Sequence, residues 1–313
     1  VTSRARAPIS RAMNPLRSPL RFLVESRVDA LFTPAPDDAP FDITQGADNG
    51  LYGPGSVAWA VHGDFATMMI GGIAALLLQM LHPKAMAGVW DHSNFRDDML
   101  GRLRRTARFV GGTTFAPSDQ AEAMIARVRR IHAHVSGTLP DGTPYRADDP
   151  ATLAWVHVAG EWSFLAAYKR YADPALPRHR EDAFFAETAV LADRLGSGPV
   201  PTSRAAADAW LEAMRPHLRA DDRTRAVMAA LRNAAPAGSA SAPVQALLMA
   251  AAIDLLPPWA AALHGERPGP LSRALTRASA GTLTAAIRAG LAPRVARRNA
   301  ALAARAARLA AER

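Results

Sequence analysis

Phe65-Ala-Thr-Met-Met-Ile-Gly-Gly-Ile-Ala-Ala-Leu-Leu-Leu-Gln-Met-Leu81 is the longest uncharged apolar run in the chain, and its reading decides the fold. At seventeen residues it lies at the lower edge of the length that spans a bilayer. Gly71 and Gly72 sit inside it, Asp64 precedes it as a side chain able to cap a helix, and His82-Pro83 closes it. The run therefore reads as the buried central helix of a helical protein rather than as a membrane span. A chain of 313 residues with 49% apolar and 21% charged residues can bury a core of that kind.

Working outward, helical periodicity recurs and alternating β-branched runs do not. Asp91-His92-Ser93-Asn94-Phe95 reads as a loop, and a basic helix follows at 101–109. Gly111-Gly112 and Pro117 read as interruptions. Asp119 and Glu122 have capping-box spacing and open a helix that Gly137 closes. Asp141-Gly-Thr-Pro144 is a turn, and Asp149-Pro150 starts a helix running to about Tyr171. Further helices are expected at 180–195, 204–214, 222–233 and 243–256, with Pro257-Pro258 ending the last. The expected fold class is all-α: an N-terminal arm over 1–50, one helical domain over 51–265, and a basic helical tail over 266–313.

The charge is unevenly spread. The formal net charge is +9, and Leu271–Arg313 holds nine arginines against the single acid Glu312. The remainder of the chain is therefore near neutral, and the basic character describes the tail. With few large apolar residues, this tail is expected to be dispensable for the fold. There are no cysteines, which excludes disulfides, iron–sulfur clusters, covalent haem attachment and thiolate-ligated haem. The first thirty residues scatter six arginines through any would-be apolar segment, so a cytoplasmic location is the expectation.

Phosphate-loop, dinucleotide-binding, serine-hydrolase and zinc-protease motifs are absent, as is the Glu-x-x-His of di-iron bundles. The nine histidines remain. On the helix after Asp119, a stripe of Met124, Ile125, Val128, Ile131 and Val135 carries His132, whereas His134 shares the charged face with Arg127 and Arg130. His157 shares a face with Leu153, Gly160, Phe164 and Tyr168. Either inward histidine is a hydrogen-bonded core imidazole or a ligand to a metal or haem iron. Arg102, Arg105, Thr106 and Phe109, spaced i, i+3, i+4, i+7, occupy one face. They suit a pocket for carboxylates and a flat apolar ligand, or else a solvated face.

Read in order, several strings resemble the MpaB/latex-clearing-protein family of oxygenases. They begin with Leu81-His82-Pro83, Gly88-Val89, His92-Ser93-Asn94-Phe95 and Gly101-Arg-Leu-Arg-Arg-Thr106. They continue with Arg129-Arg-Ile-His132-Ala-His-Val-Ser-Gly137, Tyr145-Arg-Ala-Asp-Asp-Pro150, Leu153-Ala-Trp-Val-His157 and Leu255-Leu-Pro-Pro-Trp259. The resemblance covers roughly residues 50–265. It implies a globin-like helical domain that holds haem b non-covalently, with His132 as proximal iron ligand after Arg102-Leu-Arg-Arg105-Thr106. It further implies an oxygenase that uses dioxygen on an apolar or lipid-like small molecule. Arg102, Arg105 and Thr106 would serve the chemistry, and His157, His82 and Phe109 would line the cofactor. Arg105 stands where the rubber enzymes place a lysine, and no acid matches their distal glutamate; the nearest upstream one is Asp91. The rival reading is a non-enzymatic helical protein whose tail, Arg273 to Arg308, binds nucleic acid or an anionic membrane; under the oxygenase reading the tail makes at most a peripheral membrane contact, with no specific nucleic acid.

Overall fold

A computed structural model describes residues 48–234 and 241–311. The expected N-terminal arm lies almost wholly outside the described residues. Within them the chain forms twelve α-helices, one 3-10 turn and a two-stranded hairpin. The helices are α1 (Val57–Gly63), α2 (Phe65–Gln79), α3 (Pro83–His92), α4 (Met99–Phe115), α5 (Ser118–Ala133) and α6 (Pro150–Tyr171). They continue as α7 (Arg178–Leu195), α8 (Arg204–Met214), α9 (Asp222–Arg232), α10 (Ala242–Leu255), α11 (Pro258–Leu263) and α12 (Pro270–Ala311). The fold is all-α.

The apolar run forms α2, capped by the Asp64 carboxylate, which accepts from the Thr67 amide at 2.9 Å. Ten of its fifteen residues are buried, and it packs chiefly on α6 and α10. Gly71 explains how closely α2 and α6 approach: a Cβ there would lie 3.1 Å from Phe164 Cα and 3.2 Å from the Ser163 carbonyl oxygen. Helix α6 is buried on nearly every side, from Thr152 through Ala167. Among the described residues no single helix is long and apolar enough to cross a membrane. Helices α1 and α2 would reach that length together, but they bend by 88° at Asp64.

Several boundaries differ from expectation. Gly111-Gly112 do not break α4, which runs on to Phe115 with Gly112 buried; packing outweighs the roughly 1 kcal/mol that a helical glycine costs. Asp91 and His92 belong to the last turn of α3 rather than to a loop. Pro117 is the N-cap of α5 and no side chain caps that end, so the Asp119–Glu122 spacing does not form a box. The helix stops at Ala133, and Gly137 instead lies in β1 (Ser136–Thr138), paired antiparallel with β2 (Pro144–Arg146). Gly137 faces Tyr145 in that register, and a Cβ on it would come within 2.6 Å of the Tyr145 hydroxyl.

The tail is helical as expected, but it is a packed element. Helix α12 buries Ala280, Ile287, Leu291, Leu302 and Leu309 against the domain. Its arginines also reach the ends of three other helices. Arg288 donates to the Tyr171 carbonyl at 2.6 Å, Arg298 to Gly63 at 3.3 Å, and Arg305 to Phe115 at 3.1 Å. Each acceptor is the final residue of its helix (α6, α1 and α4), where unsatisfied carbonyls concentrate negative charge. Arg305 is 1% exposed. This packing runs against the expectation that the tail is dispensable.

Candidate functional site

Helix α5 does orient its two histidines differently. His132 follows Ile125 and Val128 on the inward side and is half-buried, whereas His134 is exposed and bonds back to the Arg130 carbonyl at 2.7 Å. The stripe is narrower than its sequence suggests, since Ile131 is 53% exposed. Burial lowers the His132 imidazole below its ordinary value, opposed by the nearby Asp148 carboxylate. His132 is therefore neutral at pH 7, with a lone pair to offer.

His157 sits on α6 and is half-buried. Burial holds its pKa down, countered by Glu161 one turn later, with His62 adding to the lowering. Among the described residues, His132 and His157 are the two at least partly buried histidines whose rings have no hydrogen-bond partner. The other buried or half-buried ones are engaged. His62 bonds Thr114 Oγ1 at 2.9 Å and Glu161 Oε2 at 3.0 Å, and His264 meets the Leu77 carbonyl oxygen at 2.8 Å. His82 caps α3, its Nδ1 accepting from the Ala85 amide at 3.5 Å beside the Trp155 ring. Burial, with Lys84 nearby, pushes its pKa down to about 4. His82 is the N-cap residue of α3.

On α4, Arg102, Arg105, Thr106 and Phe109 share the open side of the helix, while Gly101, Arg108, Gly112 and Phe115 form the buried side. Arg102 and Phe109 are half-buried; Arg102 donates to Ser93 Oγ at 3.1 Å, and burial lowers its pKa, assisted by the Arg105 charge. Arg105 and Thr106 are exposed. Arg105 donates to Asn94 Oδ1 at 3.1 Å and approaches Asp98 at 3.6 Å. The Thr106 hydroxyl donates back to the Arg102 carbonyl at 3.2 Å. The four residues share a face, as their spacing predicts, but only two of them are sheltered.

One cluster escaped sequence reasoning. The His62 ring lies between Phe164 and Phe184, both at 5.6 Å, and joins α1 to α4 through Thr114 and to α6 through Glu161. Burial alone would raise the Glu161 carboxyl; its hydrogen bond and charge pairing with His62, together with His157, bring it below the usual range. The structure thus gathers His157, Glu161 and His62, while His132 faces Asp148 instead. The i, i+4 spacing of His157 and Glu161 was the available signal, but His62 lies 99 residues from Glu161 and no local pattern links them. Among the described residues no three His, Asp or Glu side chains are grouped to hold a metal ion by themselves.

Among the described residues the all-helical domain thus shelters two imidazoles, His132 and His157, whose rings have no hydrogen-bond partner. The chain matches the family described as ER-bound oxygenase mpaB/B′/Rubber oxygenase, catalytic domain, over residues 59–289, and it belongs to that family. The match runs past Pro257-Pro258 into α12. No curated protein and no solved structure matches the chain.

Proposed function

We propose that this oxygenase domain works with haem b, held by His132 as the proximal iron ligand, and oxidises an apolar, lipid-like small molecule with dioxygen. The carrying observation is the neutral, half-buried His132 imidazole with no hydrogen-bond partner in a family of oxygenases. The donor set fits: neutral imidazole is a good iron ligand, and iron held by one imidazole needs no carboxylate cluster. Bound haem would supply the activation of dioxygen. Asp148, whose carboxylate acts on His132 electrostatically, would steady the ring. Arg102 offers a sheltered guanidinium for a propionate, and Phe109 an apolar edge on the same face. His157 is the second unpaired nitrogen, with Glu161 one turn away to hold or move its proton. Arg105, already paired with Asn94 and Asp98, offers iron no lone pair.

The test is reconstitution with hemin followed by pyridine haemochrome quantification. His132→Ala should abolish stoichiometric haem, and His134→Ala should match the parent. Full haem in His132→Ala with loss in His157→Ala would move the ligand to α6. Full haem in both variants would end the assignment to either. The rival reading, a tail that recruits nucleic acid or membrane, has less behind it. Arg273, Arg277, Arg288, Arg298 and Arg305 are engaged with groups of the protein itself.

A further inference from the structure

Away from the histidines, a cleft of about 640 Å³ opens where α6, α8, α10, α11 and α12 converge. That is the size of a small-molecule site. Its floor is largely carbon, from Trp162, Leu211, Leu255, Leu256 and the Pro257–Pro258 pair. Four cations stand on its walls, Lys169, Arg170, Arg204 and Arg273, together with three carboxylates, Asp208, Glu212 and Asp254.

None of the carboxylates is spare. Asp208 accepts from the Trp162 indole at 2.7 Å and from Arg204 at 2.9 Å. Glu212 accepts from the Trp259 indole at 2.6 Å and from Arg215 at 2.9 Å. Asp254, 2% exposed, is held by Arg170 at 3.0 Å, Arg273 at 2.6 Å and Arg277 at 2.7 Å. Behind the wall the same arrangement repeats: the buried Glu181 carboxylate faces Lys169, Arg178 and Arg204.

Four cations against three carboxylates leave the cleft walls one positive charge in excess, the buried Asp254 and Glu181 each face three cations, and low-dielectric walls focus such a field. The cations are also held in place. Arg170 engages Asp254 through Nη1 and Arg273 through Nε, while a guanidinium carries five N–H donors. Both side chains remain about a third exposed, at 36% and 37%. Guanidiniums fixed along one edge and open along another suit a planar oxyanion.

We propose that this cleft binds a small organic anion: a carboxylate or phosphate head joined to a short apolar body. Arg170, Arg273 and Lys169 engage the head, and Trp162, Leu211 and the proline pair lie under the body. The site is separate from the histidines and does not depend on what they hold. A soluble amphiphile and a lipid head group share this chemistry, and the experiment separates them.

Calorimetry on the full chain at low ionic strength uses octyl phosphate, octanoate and inorganic phosphate as probes. Phosphatidylcholine vesicles containing phosphatidic acid form the lipid arm, read by co-sedimentation. Arg273→Gln removes one guanidinium while Arg170 and Arg277 still satisfy Asp254. Ala166→Phe narrows the cleft, which Ala166 lines, without altering charge. Octyl phosphate or octanoate should bind the parent, at least tenfold more tightly than inorganic phosphate, and both variants should weaken binding tenfold or more. Solution binding without vesicle pelleting assigns the head to a soluble molecule; pelleting lost in both variants assigns it to a lipid. Should Arg273→Gln fail to fold, Ala166→Phe carries the test alone. Absence of binding by the parent in every arm, or binding unchanged in the folded variants, overturns the proposal.

Discussion

Helices α2 and α12 pack against the same neighbours, α6 and α10, yet opposite chemistry holds them. Helix α2 is an apolar rod: apart from Thr67 its buried surface is Ile, Leu, Ala and Gly, and it meets α6 backbone to backbone at Gly71. Helix α12 has few large apolar residues and works through arginine. Arg288, Arg298 and Arg305 complete the C-terminal ends of α6, α1 and α4. Arg298 also lies 4.7 Å over the Phe115 ring, and burial lowers its pKa. Arg273 and Arg277 converge on Asp254. An arginine stem can cover apolar surface while its head reaches buried carbonyls, so an Ala/Arg helix can pack as firmly as an apolar one.

The sharpest way to break this comparison is to delete α12. Ending the chain after Gly269 removes four buried Ile or Leu side chains, at about 1.5–3 kcal/mol each, together with three helix caps. Against a typical total of about 5–15 kcal/mol, cooperative urea unfolding followed by circular dichroism should be lost. A truncated chain that kept its midpoint would show that the arginine contacts contribute nothing. Next in size is Asp254→Asn, which leaves three guanidiniums, each more than a third exposed, around a neutral amide and should cost about 1.5–3 kcal/mol in the same titration. Gly71→Val tests the apolar side. The added carbons must push against Phe164, and overpacking of this kind costs about 1–3 kcal/mol.

Acid should separate two groups by pH window. Burial alone would raise the Asp254 carboxyl, but hydrogen bonds from Arg277 and Arg273 hold it below the ordinary value of 3.8. Its contribution to stability is therefore complete above that value and is lost as the pH falls through the lower folded one. His82 acts in a higher window. Its folded value of about 4 lies below the ordinary 6.5, so the unfolded chain takes up the proton first and stability declines between those two values. His82→Asn keeps an acceptor for the α3 cap and should flatten the slope between pH 6.5 and 4 while leaving the deeper acid loss in place. An unchanged slope would locate the titration elsewhere. The smallest effect is expected for His134→Ala, an exposed position whose replacement should stay within about 0.5 kcal/mol of the parent.

Much of the architecture was written locally. The uncharged run from Phe65 to Leu81 specified α2, the Asp149-Pro150 and Pro257-Pro258 pairs marked real helix ends, and Gly196 adopts the left-handed C-cap conformation at φ 85°. The hairpin after α5 was only half legible. Asp141-Gly142 announces a turn, but strands of three residues carry too little alternation to be seen. For the candidate site, periodicity separated His132 from His134 because facing on a helix depends only on position along it.

Which imidazoles lie unpaired could not be read in that way. His62 finds Glu161, and His264 finds the Leu77 carbonyl, across separations of 99 and 187 residues, and those bonds are what single out His132 and His157. The same holds for charge. Nine arginines in the last forty-three residues read as a basic tail dispensable for the fold because composition states how many charges there are. Whether a guanidinium meets water, a carboxylate or the end of another helix depends on distant segments arriving beside it, and that is settled by packing.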